Sequence, residues 1–212
     1  MAILNSGLAK SSAADAYTID NSLRFNAATD PRLTKTIAVS GNRKTFTISF
    51  WFKRSNLGLT NTRLFSSRTS GSDEFEIHLN SSDQLSTYFY SGSYSFYFLT
   101  EQVFRDPSAW YHYCLKYDST PASPDSTDCA LYINGVQVTA FETETYPSQD
   151  LETSVNKATS DVVIGDHEGA LGSNVWDGYI AEWFNIDGQA LDADSFGELS
   201  STTNQWIPKA AS

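Results

Sequence analysis

The chain has 212 residues and a mass of 23.4 kDa, the size of one large all-β domain or two small ones. Hydrophobic residues make up 40%, charged residues only 18% and aromatics 14%, while Ser and Thr together fill 49 positions. This mixture, poor in helix formers and rich in aromatic side chains, excludes a helical bundle, a βαβ nucleotide fold and a disordered chain, and the net charge of −11 argues against nucleic acid as a main partner.

Taken in chain order, the first ten residues, MAILNSGLAK, show neither a basic n-region nor an apolar core, so no secretory leader is expected. The Ala-, Ser- and Gly-rich stretch 1–20 reads as an arm before the folded part. Period-two alternation, the mark of half-buried strands, then dominates. It is clearest over Lys44–Lys53, where Phe46, Ile48, Phe50 and Phe52 alternate with Thr47, Ser49 and Trp51. Glu74–Leu79 follows the same rule, with Phe75, Ile77 and Leu79 inward and Glu74, Glu76 and His78 outward, read as solvent-side residues. Leu85–Tyr90 and Tyr94–Leu99 flank Ser91-Gly92-Ser93 as a hairpin. Trp110–Tyr117 and Cys129–Asn134 surround a loop, DSTPASPDSTD, whose prolines forbid a continuing ladder and whose Asp118, Asp125 and Asp128 read as solvated. Asn134-Gly135 predicts a type I′ turn into a strand over Val136–Phe141, and Asp161–Gly165 and Trp176–Ile186 complete the set. A single short helix is expected over Asp192–Leu199, capped by Asp192 or Asp194. No run of about 18 apolar residues exists to insert into a membrane. Together these signals predict an all-β fold, a two-sheet antiparallel jelly-roll sandwich over residues 21–200, with 201–212 as a tail.

Charge is unevenly placed along the chain. Residues 1–70 hold ten Lys/Arg against three acids, and 71–212 hold four against 22. Strands distant in sequence interleave in a sandwich; if the two segments instead formed separate faces, self-association or packing onto an acidic surface would follow. Cys114 lies opposite the core face of its strand while Cys129 lies on the core face of the next, so their Cβ vectors do not meet and two free thiols are expected.

Five pieces in order, Phe46–Phe52 (FTISFWF), Trp110–Asp118 (WYHYCLKYD), Ala130–Val136 (ALYINGV), Val163–Gly165 and Trp176–Glu182 (WDGYIAE), resemble the concanavalin A-like, laminin G-like jelly roll. A narrower set resembles the laminin G-like proteins of tailed, marine-type bacteriophages: Tyr17–Asn26 (YTIDNSLRFN), Gly41–Phe46, Val103–His112, Tyr146–Gln149, Ile186–Leu191, Ser195–Glu198 and Trp206–Lys209. That resemblance implies a virion-surface protein without catalytic residues, a head decoration or a short fibre-like appendage. Its partners would be major capsid or tail proteins, held through the arm and tail around Tyr17 and Trp206.

The residues themselves keep other readings open. Tyr88, Tyr90, Tyr94 and Tyr97 gather around one hairpin and Trp51 faces away from its core stripe; such aromatics form either a platform for a host glycan or the centre of a protein interface. The loop carrying Asp166, Glu168, Asn174 and Asp177 offers three carboxylates and an amide within twelve residues, a donor set suited to calcium, the one cofactor weighed. Glu74 and Glu76 do not match the Glu-x-Asp-x-x-Glu spacing of jelly-roll glucanases. His78, His112 and His167 neighbour no nucleophile motif and give no zinc spacing. The reading is therefore a non-enzymatic binding protein of the virion surface; an adhesin for host surface glycans is the alternative, and a polysaccharide depolymerase the third.

Overall fold

A computed structural model describes residues 17–70 and 72–211, so most of the arm expected over 1–20 lies outside the described residues. The strands are β1 (Leu23–Phe25), β2 (Leu33–Thr36), β3 (Thr45–Arg54), β4 (Thr62–Ser70), β5 (Asp73–Leu79), β6 (Gln84–Tyr90), β7 (Tyr94–Val103) and β8 (Tyr111–Asp118). They continue as β9 (Ala130–Ile133), β10 (Val136–Gln137), β11 (Phe141–Thr145), β12 (Asp161–Ile164), β13 (Gly178–Asp187), β14 (Gly197–Leu199) and β15 (Trp206–Pro208). One sheet has six strands in the order β1-β13-β3-β8-β9-β10; the other has seven, β11-β7-β6-β5-β4-β12-β2. The two sheets form the all-β antiparallel sandwich that the alternation predicts.

The core between the sheets is largely aromatic. Phe46, Ile48, Phe50 and Phe52 of β3 are fully buried against Phe65, Phe75, Phe89 and Phe96 of the facing sheet. Phe46 stacks on Tyr117 with ring centroids 4.7 Å apart, and Phe50 stacks on Trp183 at 4.5 Å. A bulge in β13 between Ala181 and Phe184, with Glu182 at φ 50°, turns Trp183 into this core.

Two expectations change. The strand expected over Val136–Phe141 is two: β10 closes the hairpin with β9, and β11 pairs with β7 in the other sheet. The short helix over Asp192–Leu199 is a 3-10 turn, Ala193–Ser195, followed by β14; Asp192 makes no capping bond because its carboxylate takes Tyr132 and Lys116 instead. The outer face of the six-stranded sheet is covered, because residues 188–209 fold back over it. Phe196, Leu191 and Trp206 pack there on Cys114, Tyr132 and Phe184, and the Thr47 hydroxyl bonds to both Gln189 and Leu191. Both cysteines are free and buried, and burial pushes the Cys129 thiol up to about 12.

The uneven charge resolves inside the molecule. Arg24, Arg32, Arg43, Lys44, Arg54, Arg63 and Arg68, all from the basic segment, pair with Asp177, Asp166, Glu152, Asp150, Asp83, Glu76 and Glu74 of the acidic one. Interleaving of distant strands thus brings the two segments together rather than apart.

Gly135 ties the β9–β10 turn to the C-terminal cover. Its φ is +76°, and a Cβ there would lie 2.4 Å from the Trp206 ring. Gly135→Ala is expected to cost about 2 kcal/mol from the left-handed backbone and the displaced indole together, read as a lowered urea midpoint. An unchanged midpoint would show that Trp206 is not seated on the turn.

Candidate functional site

Alternation in three neighbouring strands, combined with their register, builds one polar and aromatic patch on the outer face of the seven-stranded sheet. On β5, Phe75, Ile77 and Leu79 point into the core, leaving Glu74, Glu76 and His78 outward. On β6 and β7 the same parity buries Phe89, Phe96 and Phe98 and sends Tyr88, Tyr90 and Tyr97 to the other face. The register sets Glu76 opposite Tyr88 and Tyr88 opposite Tyr97; the adjacent row runs Arg68, Glu74, Tyr90, Tyr94.

The four tyrosines form one continuous aromatic array. Tyr94 stacks on Tyr97 at 4.8 Å, and Tyr88 meets Tyr94 edge-on at 5.1 Å. Tyr90 meets Tyr94 edge-on at 5.3 Å, and Tyr88 meets Tyr97 at 5.8 Å. These are the offset and edge-to-face geometries that the ring quadrupole favours. Tyr94 is 52% exposed, Tyr90 and Tyr97 are half-buried, and Tyr88 is buried. The array therefore has an anchored base and an open top.

Beside it lies an ionic cluster that sequence alternation misjudges. Glu76, expected to face solvent, is fully buried. Its Oε2 accepts from Arg63 Nε at 2.9 Å and Tyr88 OH at 2.6 Å, with Arg63 Nη2 at 2.8 Å. Burial alone would raise this carboxyl, but His167, Arg63 and Tyr88 outweigh it and hold the group down at about 2. Glu74 moves the other way: burial and the charge on Glu76 raise it against the pull of His167, Arg68 and Arg63. Burial and the nearby Arg63 hold His78 down at about 4 despite Glu76. Residue type and spacing did not single out Arg63 and Arg68 of β4, or His167 of the loop after β12, because β4 lacks alternation and His167 arrives from a distant segment. The Glu74-x-Glu76 spacing next to a tyrosine hairpin was the one local signal.

The remaining sequence candidates are placed elsewhere. Trp51 is buried on the six-stranded sheet beside His112 and belongs to a different region from the tyrosines. With Trp110, Trp206, Tyr17 and Ile19 it lines a cleft of about 530 Å³. The calcium candidates do not converge. Asp166 is fully buried and its carboxylate accepts from the backbone of His167 and Gly172 while facing Arg32 at 3.5 Å. Asp177 pairs with Arg24 at 2.7 Å and with Asn56. Glu168 faces Arg68, and the Asn174 side-chain amide donates to Ser173. Among the described residues, the one group of three acidic or imidazole side chains with ligand atoms within 4.8 Å of one another is Glu74, Glu76 and His167. Also among the described residues, no helix is long and apolar enough to cross a membrane.

Residues 26–195 match a laminin G family described as the concanavalin A-like lectin/glucanases superfamily. No curated protein sequence matches the chain. Among solved structures, the mouse laminin alpha1 chain, domains LG4-5, is similar with a TM-score of 0.54 and 14% identity, over 93% of this chain and 46% of that one. Domain 4 of AbnA, a GH43 extracellular arabinanase from Geobacillus stearothermophilus in complex with arabinotriose, aligns with a TM-score of 0.50 and 15% identity, over 80% of this chain and 72% of that one. The Ruminococcus gnavus IT-sialidase CBM40 aligns with a TM-score of 0.50 and 12% identity, over 76% of this chain and 95% of that one. At these identities the likeness is one of fold.

Proposed function

We propose that this chain, which belongs to the concanavalin A-like lectin/glucanases superfamily, is a glycan-binding module whose site is the tyrosine-lined outer face of its seven-stranded sheet. The observation that carries the reading is the array of Tyr88, Tyr90, Tyr94 and Tyr97, packed from below and open above, with the half-buried carboxyl of Glu74 beside it. Sugar rings bind by laying their C–H faces on aromatic rings while carboxylates accept from their hydroxyls, and this face offers both. The fold is shared with an arabinotriose-bound domain and a sialidase CBM40, which adds support at the level of architecture alone.

The reading is one of binding without hydrolysis. Glu74 and Glu76 share a strand face, but Glu76 is fully buried and walled in by Arg63, Tyr88 and His167, so it reaches no glycosidic bond. The setting proposed is the surface of a tailed-phage particle, following the resemblance of Tyr17–Asn26 and Trp206–Lys209 to phage proteins. There the module would hold capsid or tail neighbours and present its tyrosine face to host glycans.

A glycan array followed by titration calorimetry tests the site. Tyr94→Ala and Tyr90→Ala are each expected to weaken binding about tenfold, the worth of one aromatic stacking face. Release of reducing sugar should stay at background. Binding that is indifferent to both substitutions, or no binding to any glycan, would remove the proposal. The setting is tested separately by the copy number of this chain relative to major capsid protein in purified particles, and a value of zero would end it.

A further inference from the structure

We propose that Glu74, Glu76 and His167 form a site for a divalent first-row transition-metal ion. The inference stands on the geometry of these three residues and does not depend on glycan binding. Glu76 divides its carboxylate: Oε2 takes Arg63 and Tyr88, while Oε1, fully buried, faces the imidazole of His167. That oxygen lies 2.8 Å from Nε2 of His167, a contact that an ion between the two would bridge. Glu74 Oε2 lies 3.8 Å from the same nitrogen. Tetrahedral ligation at about 2.0–2.1 Å sets ligand atoms about 3.3 Å apart, so these spacings bracket the required one with small side-chain adjustments.

A second feature points the same way. His78, its side chain 8% exposed, leaves Nδ1 without a partner and aims it at Glu76 Oε2 from 3.7 Å. Buried polar atoms of this kind are rare in a settled fold, and His78 Nδ1 points at the same carboxylate. The Arg63 and Tyr88 bonds then act as an outer shell, fixing the carboxylate that would ligate.

Charge and ligand type select the ion. Two carboxylates against Arg63 leave one negative charge to receive a divalent cation, with Arg68 and Glu168 offsetting each other. Arg68 is 3.6 Å from both Glu74 and Glu168, so it leaves Glu74 for Glu168 at little cost. One imidazole nitrogen and two carboxylate oxygens suit zinc, cobalt or manganese; calcium and magnesium favour all-oxygen sets of higher number. Glu74 and His167 are the more exposed ligands, 18% and 16%, so the ion enters from their side.

The full chain is titrated with zinc chloride by calorimetry, and cobalt(II) absorption reports the coordination geometry. One ion per chain is expected, with calcium chloride giving no saturable heat. His167→Gln and Glu74→Gln, both at partly exposed positions and checked for folding by circular dichroism, should weaken zinc binding at least about tenfold each. No saturable zinc binding, or binding unchanged in both variants, would overturn the site. Loss of glycan binding with zinc binding intact, or the reverse, separates this proposal from the preceding one.

Discussion

Asp83→Ala is expected to lower the unfolding free energy by about 3–5 kcal/mol, the range for stripping a buried charge of its partner. Arg54 closes β3, and its side chain is 1% exposed. Its guanidinium meets Asp83 Oδ1 at 2.9 Å and donates to the Phe104 carbonyl. Burial lowers the Arg54 pKa even against the pull of Asp83, so the charge is held at a cost that the carboxylate offsets. Asp83 does more than neutralise. It accepts from the Gly58 backbone at 2.7 Å and from Arg105 at 3.0 Å, so the stretch 54–58 and Arg105 converge on one carboxylate. Removing it leaves Arg54 charged, buried and short of acceptors. The paired variant Arg54→Met with Asp83→Leu should recover part of the loss, because an apolar pair leaves no orphan charge although the Gly58 N–H and the Phe104 carbonyl lose their partners. Urea denaturation at neutral pH decides the matter. A loss below about 1 kcal/mol for Asp83→Ala would show that water reaches Arg54 and that the pair is a surface one.

The sheets were legible in the sequence where the chain alternates cleanly, and obscure where another force sets the pattern. β3, β5, β6, β8 and β13 begin and end within about two residues of their expected bounds, because each buries one face in the core. β4 was missed because Leu64 and Phe65 are adjacent and a bulge between Arg63 and Phe65 breaks the period. β14 and β15 are too short to show alternation, and their role depends on Trp206 reaching Gly135 and His112, contacts between segments far apart in the chain. The same division runs through the candidate site. The tyrosines were visible because a Ser-Gly-Ser turn fixes which of them share a face. Glu76 was misjudged because an outward position need not be an exposed one: Arg63 and Tyr88 are long enough to close over it. Trp51 was misjudged for the corresponding reason on the other sheet, where the C-terminal segment covers the outward face.

That covering segment carries the second large expected effect, a loss of about 3 kcal/mol as the solution is acidified from pH 6.5 to 4, through His112 alone. His112 is 1% exposed, with Trp206 and Trp51 against its ring. The Trp206 indole N–H, which can only donate, points at Nδ1 from 3.1 Å. Nδ1 must therefore carry a lone pair, and the ring proton sits on Nε2, 2.8 Å from the Ser49 hydroxyl oxygen that accepts it. Protonating Nδ1 would set two N–H groups against each other in a dry contact. Burial accordingly holds the imidazole down from 6.5 to about 4. Above pH 6.5 the ring is neutral whether the chain is folded or not, and stability is full. Between 6.5 and 4 the unfolded chain takes up a proton that the folded chain refuses, so stability falls with pH; below 4 both states are protonated and the loss levels off. His78, held down to about 4 in the same way, adds to the total in the same window, so a variant is needed to isolate the share of His112. His112→Gln keeps an acceptor for Trp206 and a donor for Ser49 but does not titrate. Its urea-derived stability should fall by about 3 kcal/mol less than that of the native chain between about pH 7 and about pH 4. Parallel pH curves for the two proteins would mean that burial does not hold His112 down. A reduced slope would identify the buried His112 as a group through which acid weakens the fold.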